Sequence, residues 1–413
     1  MANWQFSQRA LDSIAQATAD VNIFHGAVRS GKTIDSLFAW ASFIRDAPDG
    51  DMLMSGRTER TLQRNVLEPL RSIVKPSNYS LNRSLGEITV FGRRIYIVGA
   101  SDERATEKIQ GMTLIGGYGD EISLYPQSFY DMFQTRLSLN GARFIGTTNP
   151  ASPNHWLKAS VIDNADGDFI REFHFVLEDN IALPPRYVAR LKSFYQEGSL
   201  FYKRFILGQW VVAEGAVYDF FDTNLHVKPL PSRPPTQRVV SIDYGTANAF
   251  VACLIARYRP PHDGAKFVLD RTLYYDGRAN GAKTDAQYLK MLVDWLGDDA
   301  VSTVIIDPSA LSFKTQLLQA GFNVISANND VLNGIRTQAS MLQNGEFYLS
   351  DHPSNKPVID EFGAYLWDTK AQARGEDKPI KAHDHSLDAI RYALHTMNKT
   401  ADLHAWQQAV GVA

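Results

Sequence analysis

Gly26-Ala27-Val28-Arg29-Ser30-Gly31-Lys32-Thr33 fits the pattern G-x-x-x-x-G-K-[ST] at every fixed position. Its flanks agree. Val21-Asn22-Ile23-Phe24-His25 is a short apolar run of the length of a buried strand. From Thr33 onward, Ile34, Leu37, Phe38, Phe43 and Ile44 recur at helical spacing. Strand, glycine-rich turn and helix make a phosphate cradle. Gly26 and Gly31 let the backbone N–H groups of the loop, Arg29 and Ser30 included, close around a β-phosphate. The helix start adds its positive end, and Lys32 reaches the β- and γ-phosphates. The Thr33 hydroxyl is placed for Mg²⁺.

The chain of 413 residues exceeds what one core supports, so two domains are expected. Apolar and charged fractions are ordinary for a globular protein, and no apolar run reaches membrane-spanning length. The start, Met1-Ala2-Asn3-Trp4-Gln5, lacks the basic and apolar regions of a secretory signal. The single cysteine, Cys253, lies in an apolar run and reads as core filler in a reducing, cytoplasmic setting. A formal net charge of -3 leaves any DNA binding to local patches.

Working outward, Phe6-Ser7-Gln8 stands a short way upstream of the loop, where the amide of Gln8 suits pairing with adenine; a solvated helix start is the plain alternative. Arg57 to Val74 reads as a helix with Arg57, Arg60, Arg64 and Arg71 on one face, either a solvated basic face or a contact with phosphate. Glu87–Val90 and Arg94–Val98 form a hairpin around Phe91-Gly92-Arg93. Thr113 to Glu121 is an apolar strand ending in Asp120-Glu121, the Walker B arrangement: Asp120 for the Mg²⁺ shell, Glu121 to polarise the attacking water. Three glycines make it a poor strand former. Phe144 to Pro150 is a further strand ending in Thr147-Thr148-Asn149, whose hydroxyl and amide groups are placed to sense the γ-phosphate. Residues 154–207 read as mostly helical. The first fold is therefore an α/β P-loop ATPase with a mainly parallel, doubly wound sheet.

Pro229, Pro231, Pro234 and Pro235 mark a stiff linker. The expected division is an ATPase domain at 1–212, a linker at 213–237 and a second domain at 238–413. The latter opens with three consecutive strands, around Arg238–Asp243, Phe250–Tyr258 and Phe267–Tyr275, then alternates helices with strands at Val301–Asp307 and Phe322–Ile325. That order is RNase H-like. Asp243 and Asp307 end apolar strands, where a carboxylate needs a partner, and a divalent cation is a natural one. His383-Asp384-His385-Ser386-Leu387-Asp388 opens the last helix, with His385 and Asp388 on one face. Asp243, Asp307 and Asp388, with His385 or Asp384 assisting, form a candidate site for two Mg²⁺ or Mn²⁺ ions cutting phosphodiesters. A cap or a salt bridge is the plain alternative for each acid alone. One isolated cysteine disfavours zinc.

An ASCE-type ATPase followed by an RNase H-like nuclease resembles the large terminase subunits of tailed phages. The resemblance rests on Gly26 to Thr33, Asp120-Glu121, Thr147-Thr148-Asn149, Asp243, Asp307 and the tail from Asp384 through Asp388 to Ala393. It implies ATP hydrolysis driving double-stranded DNA into a prohead, and a nuclease cutting concatemeric DNA. It implies a portal protein and a small terminase subunit as partners, a homo-oligomeric ring, no membrane, and action in the host cytoplasm. Terminase P-loops commonly carry an arginine between the glycines, so Arg29 is a candidate catalytic residue acting in cis. Lys108-Ile109-Gln110-Gly111 also looks like the family. The departure is the glycine-rich Walker B strand, which puts its packing in question. A repair helicase-nuclease is the competing reading, but it needs a second ATPase-like domain where this chain reads as RNase H-like.

Overall fold

The computed structural model describes residues 4–193, 195, 197–245, 249–262 and 264–410. Contacts divide the chain into two compact units: residues 1–192, 196–212 and 370–376, and residues 193–195, 213–369 and 377–413.

The first unit is built on an eight-stranded sheet. Its strands are β1 (Val21–Gly26), β2 (Asp51–Gly56), β3 (Tyr79–Asn82), β4 (Glu87–Val90), β5 (Arg93–Gly99), β6 (Leu114–Gly119), β7 (Arg143–Thr148) and β8 (Ile170–Phe175). Their order is β3-β4-β5-β2-β6-β7-β1-β8. Six run parallel, and β3 and β4 add an antiparallel edge. β7 separates the P-loop strand β1 from the Asp120 strand β6, so three chain reversals with candidate chemistry meet at the carboxyl ends of neighbouring strands. Helices α1 (Gln8–Gln16) and α2 (Lys32–Asp46) pack on each other.

The glycines of β6 have a packing cause. A Cβ on Gly116 would stand 2.7 Å from the Phe43 ring and 2.9 Å from Trp40; one on Gly117 would stand 2.7 Å from Phe133. Aromatic rings on both faces fill the space that bulky strand residues would take, so weak strand propensity is offset by burial. Gly117→Val is expected to destabilise the chain by about 3 kcal/mol through overpacking. Urea unfolding followed by tryptophan fluorescence tests this, and an unchanged midpoint would show that the rings yield.

Two expectations from the sequence are corrected in this unit. Residues 154–207 are not mostly helical, because Ile170–Phe175 is the edge strand β8, paired with β1. Its period-two alternation buries Phe173 and Phe175 against Phe24, a pattern obscured by the aromatic-rich neighbourhood. The helix expected from Arg57 to Val74 begins only at Glu59, and a π-helical turn, Gln63–Leu67, interrupts it. Arg57 lies outside it, so the four arginines do not form one regular face.

The second unit has a seven-stranded sheet of β9 (Val227–Lys228), β10 (Gln237–Asp243), β11 (Ala249–His262), β12 (Ala265–Asp276), β13 (Thr303–Ile306), β14 (Val324–Ser326) and β15 (Phe347–Ser350). The order is β14-β13-β10-β11-β12-β15-β9, with β10, β11 and β12 antiparallel and the outer strands parallel to their neighbours. Residues 213–237 carry structure of their own: helix Thr223–His226, and β9 hydrogen-bonded to β15 ahead of the proline cluster.

Strand alternation sorts β10. Val240 and Ile242 join Phe250, Tyr288 and Phe313 in a core under helices Asp285–Leu296 and Leu311–Gln319. Ser241 and Asp243 therefore point to the opposite face, where the last helix, His385–Val410, packs on β10 and β11. Cys253 is buried on that face beside the Ser386 carbonyl, as core filler.

Candidate functional sites: a phosphate cradle and a carboxylate cluster

The loop from Gly26 to Thr33 is set by backbone geometry. Gly26 has φ 140°, and a Cβ there would lie 2.0 Å from the Phe175 carbonyl. Arg29 (φ 60°) and Gly31 (φ 93°) are also left-handed, which curls the chain into a concavity of N–H groups. No side chain caps α2, and since the Ile34 and Asp35 N–H groups bond the Gly31 carbonyl, those of Lys32 and Thr33 are the ones turned to a ligand. The Ser30 hydroxyl is buried with no hydrogen-bond partner. An unpartnered donor, a lysine and an uncapped helix start are the surroundings that a polyphosphate satisfies, so these residues fit a nucleotide.

Lys32 is buried and donates to Asn149 Oδ1 at 2.7 Å and to the Ala27 carbonyl at 2.8 Å. Burial lowers its pKa to about 8, against the opposing pull of Glu121 and Asp120. Bound phosphates favour the ammonium. Nucleotide binding is therefore expected to take up close to one proton at pH 9 and none at pH 7. Titration calorimetry in buffers of different ionisation heat measures this, and a proton count flat across that range would contradict it.

The Walker B pair is held from β7. The Thr147 hydroxyl donates to Asp120 Oδ1 at 2.8 Å and accepts from the Glu121 N–H at 3.2 Å. Glu121 is left-handed (φ 53°), a strained setting for a non-glycine residue that swings its carboxylate out of the strand line. Burial, then the neighbouring Glu121, raises the pKa of Asp120 to about 6.

Within the expected sensor, Thr147 touches the acids and Asn149 touches the lysine. Thr148 is buried, with its hydroxyl on the Asn149 carbonyl. Arg29 is exposed, and its carbonyl accepts from Asn180. Thr33 is half-buried at the start of α2. Gln8 directs its amide to Asp12 at 2.8 Å, as a solvated helix start does.

Sequence reasoning passed over Asp35, in the first turn of α2, which is buried beside Gly31 and whose pKa burial raises to about 7. It also passed over Asn180. Neither belongs to a spacing pattern that could have flagged it.

In the second unit, Asp243 Oδ2 lies 2.9 Å from His385 Nδ1. Burial pushes the Asp243 pKa up, while the hydrogen bond to Asp243 raises that of His385. Asp307 is held by the Ser309 N–H and hydroxyl, and by Tyr392 at 3.1 Å and Asn329 at 3.5 Å. Burial raises its pKa, but these bonds outweigh that and leave it below the usual value. Tyr392 lies in the field of Asp388, Asp243 and Asp307 together.

Asp388 is paired with buried Arg391 at 2.8 Å and with Lys381 at 3.2 Å. Asp384 lies 3.4 Å from Lys381, yet its Oδ2 accepts no hydrogen bond. Glu361 accepts from the N–H groups of Ser386 and Leu387 at the start of the helix. Hard carboxylate oxygens with one imidazole suit Mg²⁺ or Mn²⁺, and a buried carboxylate oxygen without a donor fits a cation. Among the described residues, no three acidic or imidazole groups converge on one point as the side chains stand. Lys381 and Arg391, which spacing could not place, take the oxygens of Asp388 instead.

Residues 23–225 match the family model for the N-terminal part of the terminase large subunit, T4likevirus-type, and residues 324–396 match that for the terminase RNase H-like domain. The large terminase of a thermophilic bacteriophage, in complex with ADP, is similar over 95% of this chain and 99% of its own, at 36% identity and TM-score 0.86. The chain belongs to the terminase large subunit family. The same phage's terminase in complex with ATP-gamma-S matches over 94% of this chain and 98% of its own, at 36% identity and TM-score 0.84. No curated protein matches. The helicase-nuclease reading finds no support, since the second half of this terminase is RNase H-like. Among the described residues, no helix is long and apolar enough to cross a membrane.

Proposed function

We propose how the residues of this DNA-packaging ATPase and nuclease divide the work. Gly26, Arg29, Ser30, Gly31 and Lys32 bind the phosphates of ATP, and Thr33 and Asp120 hold its Mg²⁺. Glu121 orients the attacking water, with Thr147 fixing it to Asp120. The observation that carries this reading is the Lys32–Asn149 bond. An ammonium drawn to the γ-phosphate releases the Asn149 amide, so occupancy of the loop is transmitted to the end of β7. Arg29, exposed within the loop, would approach the γ-phosphoryl oxygens in cis.

In the second unit, Asp243, Asp307 and Asp384, with Asp388 and His385 beside them, would hold one or two divalent cations. Such ions activate water and stabilise the leaving 3′-oxygen of a phosphodiester. The substrate is double-stranded DNA, delivered to a portal protein by a ring of these subunits with a small terminase subunit selecting the genome, in the host cytoplasm.

Purified protein tests the reading directly. ATP turnover should rise on adding double-stranded DNA, Mn²⁺ should permit plasmid cleavage, and portal-bearing proheads with ATP should shield DNA from added nuclease. ATP turnover indifferent to DNA would contradict it.

A further inference from the structure

Two cations meet the acids at the head of the last helix, and they differ in kind. Arg391 is buried on the same helix as Asp388, and it packs so tightly that a Cβ on Gly334 would stand 2.5 Å from its Cγ. It is a fixed counter-charge. The side chain of Lys381 is 65% exposed, yet its ammonium reaches 3.2 Å from Asp388 and 3.4 Å from Asp384, each carboxylate side chain only 7% exposed. Asp384 Oδ2 is the oxygen that faces Lys381, in an ion pair without a directed hydrogen bond, and the buried Tyr218 and Tyr365 hydroxyls and Arg391 Nη1 have no hydrogen-bond partner. Among the described residues, the other cation paired with either carboxylate is Arg391, on Asp388.

We infer that Lys381 is a displaceable cation guarding the nuclease carboxylates. This rests on reading Asp384 and its neighbours as metal ligands. The ammonium bridges Asp384 and Asp388, and a divalent ion needs the same oxygens at about 2.1 Å. The two exclude one another by charge and by space. A lysine is a compact charge on a flexible four-carbon stem, so its exposed ion pair breaks at small cost. A DNA phosphate offers it an equivalent partner outside the site. Metal loading is thereby linked to the presence of substrate, and the nuclease stays idle where DNA backbone is out of reach.

The test is Mn²⁺ binding to the full chain by titration calorimetry, without nucleotide. Without DNA, Lys381→Met and Lys381→Gln should bind Mn²⁺ at least about tenfold more tightly than the unaltered protein, a change of about 1.4 kcal/mol. Lys381→Arg should bind as the unaltered protein does. A short phosphorothioate duplex should tighten binding by the unaltered protein and not by Lys381→Met. Equal or weaker Mn²⁺ binding in both neutral variants overturns the guard. If Asp243→Asn and Asp384→Asn leave Mn²⁺ binding unchanged, the metal-ligand reading fails first and takes the guard with it.

Discussion

Lys32→Ala should lower DNA-stimulated ATP turnover by at least about a thousandfold while leaving Mn²⁺-dependent DNA cleavage intact. The size follows from what the ammonium touches. It is the buried cation among Asn149, the Ala27 carbonyl and the field of Asp120 and Glu121. Removing it takes away the charge proposed to meet the γ-phosphoryl oxygens and leaves two neighbouring carboxylates less compensated. Phosphate binding itself should weaken less, because the left-handed residues Arg29 and Gly31 and the uncapped start of α2 remain. Turnover should therefore fall far more than nucleotide affinity. Steady-state ATPase assays with a fluorescent-nucleotide titration separate the two. A matching loss in both would mean that Lys32 acts only in ground-state binding.

Asp243→Asn should reduce DNA cleavage by at least about a hundredfold and leave DNA-stimulated ATP turnover unchanged. Asparagine has nearly the same shape, and its carbonyl oxygen can still meet His385, so the packing of β10 against the last helix persists. What is lost is a charge. Asp243 is half-buried on the face of β10 turned to the last helix, beside Asp384 and Asp388. Nicking of supercoiled plasmid in Mn²⁺ reads the first effect and phosphate release the second. Undiminished nicking would remove Asp243 from the site.

The two halves were legible in the sequence to different depths. The P-loop could be read almost whole because its chemistry is local. Gly26 and Gly31 shape the backbone of the loop themselves, with Lys32 next in sequence, and spacing along the chain records that. β6 was legible only as an acidic strand end; its glycines made sense once Trp40, Phe43, Phe133 and Phe144 were seen packing across it. β8 was hidden, since Phe173 and Phe175 look like helix packing until β1 supplies a partner.

The carboxylate cluster shows the reverse limit. Spacing placed His385 and Asp388 on one helix face, but it could not say that Arg391 claims Asp388 or that Lys381 bridges to Asp384. Those pairings depend on three-dimensional proximity among side chains, including where the loop before the helix carries Lys381. Likewise Thr147, Thr148 and Asn149 were indistinguishable as a string. Strand alternation and the neighbouring β6 gave Thr147 the acids and Asn149 the lysine.

That one chain carries two sites, each holding a divalent ion, is tested most directly by a crystal structure of the full chain with an ATP analogue, Mn²⁺ and a short phosphorothioate duplex. Anomalous scattering would locate the manganese. One peak is expected beside Thr33 and Asp120 and at least one more among Asp243, Asp307 and Asp384, with the Lys381 ammonium moved off those carboxylates. Manganese at the nucleotide alone, with Lys381 still bridging Asp384 and Asp388 at saturating Mn²⁺ and bound DNA, would contradict it.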